Sequence, residues 1–228
     1  MIYTVFGFLI TITIYWIAKR VYRSSKNKAL LSPLLLTPIF LVAFLLWSHI
    51  PYESYNTSAQ YLTKTLQPAT MALAIPLYKH FNVLKKHASQ ILLSVVFGSL
   101  IAISSSAYIA GLLGLNTQMI DSLIPRTVTA PMAMDISQSI GGAPAITAVF
   151  AILTGIIGSL IGPFIINSLK IKDCIARGVL LGTSSHAAGT TKAFEFGSIS
   201  GTISSVSMIL TGFITIFAAP LMVNFFAR

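Results

Sequence analysis

Charge is what this sequence has least of. Only 9% of its 228 residues are Asp, Glu, Lys or Arg, where a soluble domain carries about 25%. With 55% hydrophobic residues and a mean hydropathy of +0.83, that scarcity excludes a soluble globular domain and implies an integral membrane protein. Acidic groups are scarcest of all, five against fifteen Lys and Arg, for a net charge of +10. The excess does not mark a nucleic-acid binder, because it falls in clusters beside apolar runs: Lys19 to Lys28, Lys79 to Lys86, and Lys170 to Arg177. That placement suits loops held on the cytoplasmic side of a membrane. A single cysteine, Cys174, excludes an intramolecular disulfide and reads as filler at a helix start. No Cys/His spacing suits a metal, no cofactor is implied, and Gly-Thr-Ser-Ser-His is not a nucleophile elbow. No enzyme constellation remains.

What is present is a series of apolar runs. A spanning helix needs about 20 mostly apolar residues. Ile2 to Ala18 forms the first span, with its basic cluster after it, the reverse of a secretory signal, so the N-terminus is expected outside. Ala29 to Tyr52 is the second, with Pro33 and Pro38 near its start. Tyr52, Glu53, Tyr55 and Tyr61 suggest an outer interfacial loop. Ser58 to Tyr78 is expected as a helix bent by Pro68 and Pro76. Ala88 to Leu115, Ala143 to Leu169 and Ser198 to Phe226 supply three more spans. Ser104-Ser105-Ser106 in the first of these reads as a helix-packing feature.

Two stretches do not read as simple spans. Asp121 to Gly142 carries Arg126, Asp135, two prolines and a Gly pair, and Ala176 to Glu195 is rich in Gly, Ser and Thr and holds His186, Lys192 and Glu195. Irregular backbone at membrane depth is tolerated only when buried in protein or facing water. If every segment simply crossed, the Lys170–Arg177 cluster would fall outside. If 121–142 enters and returns, the cluster falls inside, and 176–195 then dips in from the cytoplasm. Opposed broken segments meeting near the midplane are the binding-site pattern of secondary transporters. A crossing but unwound helix is the alternative. Pro68 to Ile75 and Pro144 to Ala151 share Pro-Ala-x-x-Ala, a weak hint of an inverted repeat.

The residues of these stretches suit an anion. Arg126 could grip a carboxylate bidentately, assisted by Thr127, Thr129 and backbone amides at a broken helix end; alternatively it is an interfacial anchor. Thr183, Ser184, Ser185, His186 and Thr190, with Gly182 and Gly189 beside them, form the second candidate group. His186 titrates near neutrality when unperturbed and is a candidate for coupling, or else a hydrogen-bonded packing residue. Lys192 and Glu195, three apart, read as a local ion pair, with Glu195 and Asp135 as further coupling candidates.

"IPRTVTAPMAMDIS", "IGGAPAITAVFAILTGIIG" and "ARGVLLGTSSHAAGTTKAFE" resemble the signature stretches of the LrgB/CidB/YohK family, and "LQPATMALAIPLYK" matches in order and spacing. Arg126 stands where that family often has Lys, and Lys192 where it often has Arg. The resemblance implies a single LrgB-like domain over residues 1–228 in the bacterial cytoplasmic (inner) membrane. It also implies a small partner of the LrgA/CidA/YohJ type. For activity it implies either of two things. One is a holin/antiholin-like protein modulating murein hydrolase activity and lysis. The other is a carboxylate transporter, since plastid relatives move glycolate and glycerate and bacterial relatives are linked to pyruvate.

The resulting expectation is an all-α, multi-pass protein of about seven spans plus two broken or re-entrant segments. It would act as a secondary transporter of a small anionic metabolite of the glycolate, glycerate or pyruvate type, with proton coupling open. It is expected to form homo-oligomers, to bind no nucleic acid and to need neither cofactor nor metal. Arg126, Thr127, Thr129, Thr183, Ser184, Ser185, His186, Thr190 and Lys192 form the expected binding set, and His186, Glu195 and Asp135 the coupling set.

Overall fold

A computed structural model describes residues 3–25, 31–65, 68, 71–72 and 74–226, and no strand occurs among them. The chain is an all-α membrane protein. Residues 1–74 and 75–228 form two compact units.

In the first unit, α1 (Tyr3–Ser24) and α2 (Pro33–Trp47) are apolar, and Pro33 begins α2 at a position where the missing amide has no helical partner anyway. The basic cluster does not end α1: Lys19 and Arg20 continue it, their cations lying 5.9 Å and 5.3 Å from the Tyr15 and Trp16 ring centres. The expected outer loop is instead a polar helix, α3 (Tyr52–Lys64). Pro51 precedes it and Glu53 favours its first turn, while Ser58 and Tyr55 bind it to α1. The Gly7 amide donates to Ser58 Oγ at 2.8 Å, and the Thr11 and Tyr55 hydroxyls are 2.9 Å apart. The bent Ser58–Tyr78 helix and the first copy of the Pro-Ala-x-x-Ala pattern fall partly outside the described residues.

The short helix α4 (Ala74–Lys79) starts at the boundary of the units and is followed by α5 (Phe81–Lys86); the two carry the second basic cluster. Three long helices follow: α6 (Ala88–Leu112), α9 (Pro144–Ser168) and α11 (Ser198–Phe226). Among the described residues these are the helices long and apolar enough to cross a membrane. Between them lie α7 (Thr117–Leu123), α8 (Ala130–Ile140) and α10 (Cys174–Glu195). Cys174 is exposed at the start of α10. Ile103 of α6, Ile124 and Val128 between α7 and α8, Ile136 of α8, Ala151 of α9 and Ala219 of α11 share one core. Ile91, Val95, Ile175 and Ile203 join α6, α10 and α11 in another.

Candidate functional site: two hairpins on one helix

Both irregular stretches turn back on themselves. At the base of the first, the Ala143 amide donates to Ser122 Oγ at 2.8 Å, and Asp121 Oδ2 lies beside Gly141. Gly141, the C-cap of α8, has φ +94°, a conformation glycine adopts without a Cβ penalty. Further in, Thr147 Oγ1 of α9 donates to Ser137 Oγ of α8 at 2.7 Å. The chain thus enters along α7, turns at 124–129, and returns along α8. Ile124 and Val128 are fully buried, which pins the tip and leaves Arg126 between them.

The second stretch reverses at His186, whose φ of 39° and ψ of −129° interrupt α10. Arg177 and Phe196 would be about 28 Å apart on a straight helix, yet the guanidinium sits 5.3 Å from the Phe196 ring centre. Leu181 and Ala193 share a core cluster with Ile166, and Gly189 lies on the Leu181 carbonyl. The first limb runs down α9, with Leu181 against Gly162, Ser185 against Gly158 and His186 against Gly155. Glycine on α9 at each of these levels is what lets the limb approach so closely.

The bases of the hairpins lie toward opposite ends of α9, and their tips meet the same stretch of it. Arg126 donates from Nε to Ser106 Oγ at 2.7 Å and from Nη1 to Thr154 Oγ1 at 3.5 Å. His186 Nε2 is 2.9 Å from the Ala151 carbonyl. A carbonyl only accepts, so Nε2 carries the proton and, in neutral imidazole, Nδ1 presents its lone pair. Nδ1 is buried without a hydrogen-bond partner, as are Thr127 Oγ1, Thr183 Oγ1 and Ser207 Oγ. Buried polar groups are seldom left unpaired, so these atoms stand out among the polar groups of the two hairpins and α11.

The other expected site residues divide. Thr129 caps α8 without a side-chain bond. Ser184 is exposed, donating to the Leu180 carbonyl and lying 2.9 Å from Ser185 Oγ. Thr190 is buried, 3.0 Å from Ser204 Oγ on α11. Lys192 is buried and bonds both carboxylate oxygens of Glu195, at 2.9 and 3.0 Å. Glu195 is half-exposed at 52% and Asp135 is exposed. No group of His, Cys, Asp and Glu among the described residues could hold a metal ion.

Sequence reasoning passed over Ser106, Thr154 and Asp121. Ser106 is more than a packing serine, since it also accepts from Arg126. The serine triplet was the signal available, but nothing in it told which hydroxyl would face the cation. Asp121 is the buried acid at the base of the first hairpin, 5% exposed.

Residues 11–225 match the model of the LrgB-like family. The chain belongs to that family. Among its relatives, YwbG of Bacillus subtilis (strain 168) is 56% identical over 216 residues, covering 95% of this chain and 96% of YwbG. YxaC of the same organism is 35% identical over 218 residues, or 96% of this chain and 94% of YxaC. The antiholin-like protein LrgB of Bacillus mycoides (strain KBAB4) is 33% identical over 220 residues, 96% of each chain. No solved structure matches this LrgB-family chain. The family match runs through both compact units and includes both hairpins.

Proposed function

We propose that this LrgB-family protein is a secondary transporter of small monocarboxylates of the glycolate, glycerate or pyruvate type. The observation that carries the reading is the meeting of Arg126 and His186, from two opposed hairpins, on one stretch of α9. A cation and a lone-pair acceptor held three residues apart on one helix, with unpaired threonine hydroxyls on both hairpins, suit a carboxylate bearing a second polar group. A wide lytic pore needs no such convergence. The basic residues Lys170, Lys172 and Arg177 lie at the base of the second hairpin, which favours a cytoplasmic location for that base. The first hairpin then opens outward; independently, the basic residues at the end of α1 favour an outside N-terminus. A bacterial cytoplasmic membrane, a small LrgA-like partner and a homo-oligomer complete the reading.

The second reading, a component that modulates murein hydrolases and lysis, is favoured by the antiholin-like name of the Bacillus mycoides relative. Uptake of labelled glycolate and pyruvate into proteoliposomes, with and without the small partner, separates the two. Transport predicts saturable uptake that is lost in Arg126→Ala and in His186→Ala. Equal leakage of unrelated solutes, unaffected by either substitution, would sink it in favour of the pore.

A further inference from the structure

Proton coupling in a membrane carrier requires a group that can be neutral in one state and charged in another, shielded from bulk water. The whole chain has five acidic residues. Glu53, Asp135 and Asp173 are exposed, and Asp173 is committed to capping α10 through the Ala176 amide at 2.7 Å. Glu195 is half-exposed and held by Lys192. Asp121 alone is buried, at 5% exposure.

Among the described residues, the helices packed against it supply no counter-charge. The helices packed against α7 are α6, α8 and α9. Among groups able to titrate, α6 carries only Tyr108 and α8 only Asp135, both exposed, and α9 carries none. The nearest cation in sequence, Arg126, is turned to Ser106 and Thr154. A buried carboxyl with no cation beside it favours its neutral form, and burial raises the Asp121 pKa above its ordinary value. The carboxyl also sits at a mechanical junction. Asp121 Oδ2 lies beside Gly141, where α8 ends, and the next residue, Ser122, ties α7 to the start of α9.

We propose that Asp121 is the proton-carrying residue of this carrier, taking up a proton at the base of the first hairpin and releasing it as that base opens. The inference rests on the transport reading above. Loading is addition of one proton to a carboxylate oxygen, and unloading is its return to water on the other side, so no other reactant is involved. The site is five residues from Arg126 and on the same hairpin, so a change of charge at the base is passed to the substrate cation through one short segment.

The test is purified wild type and Asp121→Asn in proteoliposomes, with labelled glycolate and pyruvate. Two readouts are compared: accumulation driven by an imposed pH gradient, and counterflow exchange at equal pH. Asn mimics the neutral carboxyl, so exchange is expected within about twofold of wild type while gradient-driven accumulation falls at least tenfold. His186→Gln serves as a comparison at a buried titratable group of the second hairpin. Persistence of gradient-driven accumulation in Asp121→Asn overturns the assignment, as does equal loss of both readouts in a protein that keeps its melting temperature. Should Asp121→Asn fail to fold, infrared difference spectra of the wild type across a pH series decide the matter, through the carbonyl band of a protonated buried carboxyl. Absence of such a band at every pH also overturns the proposal. If the wild type itself shows no saturable uptake, it is the transport reading that falls.

Discussion

Arg126 and His186 bond to the same helix three residues apart, the guanidinium to the Thr154 hydroxyl and the imidazole to the Ala151 carbonyl. Positions three apart are neighbours on a helix face, so α9 sets the spacing of the two hairpin tips. Gly155 follows Thr154 and lies one turn on from Ala151, and a Cβ there would stand 2.6 Å from His186 Cε1. Gly155→Ala is therefore expected to lower stability by about 1–3 kcal/mol through overpacking and to break the Ala151 bond. Gly111→Ala, on open space in α6, should be neutral or stabilising by up to about 1 kcal/mol. Thermal melts of both in detergent test the contrast; equal shifts would deny the close approach.

Arg126 offers a planar fork, whereas Lys offers a point charge. Arg126→Lys should keep some uptake while raising KM about tenfold, because the cation remains but the Ser106 bond through Nε is lost. Ser106→Ala is expected to raise KM by a smaller factor and leave kcat near wild type. Concentration-dependent uptake in proteoliposomes measures both. An unchanged KM in Arg126→Lys would remove the fork from recognition.

Stability should depend on pH through Asp121. Its folded pKa lies above the unfolded value of 3.8, so the folded protein binds more protons in the interval between the two. Stability contributed by this group is therefore present at acidic pH and declines as pH rises through that interval. Melting temperatures should fall with rising pH in the wild type, and Asp121→Asn should remove that part of the slope. A slope identical in the two proteins would contradict the carboxyl's burial.

The first limb of the second hairpin starts from a side-chain cap, Asp173 Oδ1 accepting from the Ala176 amide at 2.7 Å. Asp173→Ala should lower stability by about 1 kcal/mol, the usual worth of such a cap, and Asp173→Ser should restore most of it. Chemical denaturation of the three proteins checks the order.

Much of this architecture is legible in the sequence. Both interrupted stretches announced themselves by polar and breaker residues within an otherwise apolar chain, and the positive-inside bias favoured their turning back. His186 as the point of reversal was not legible. Helix-compatible residues surround it, and only the tertiary match of Leu181, Ser185 and His186 to Gly162, Gly158 and Gly155 selects that position. Asp121 escaped notice because a carboxylate beside a loop ordinarily faces water. Its burial comes from Gly141 and Gly142 lying over α7, a contact no local pattern encodes. Residues 52–57 read as part of an outer loop with a helix expected only from Ser58, while in space the helix begins at Tyr52 and its Tyr55 and Ser58 serve α1.

The three long apolar helices α6, α9 and α11 contain no Asp, Glu, Lys, Arg or His. An electric potential across the bilayer exerts no net force on such rods, since the work it does scales with displaced charge. Within the second unit, any voltage sensitivity of turnover must therefore arise outside these three rods, from charged groups such as Asp121, Arg126, Asp135, Lys192 and Glu195 on the hairpins, or from the cargo itself. The scaffold is electrically silent, and the charge that could respond to a field sits on the hairpins packed against it.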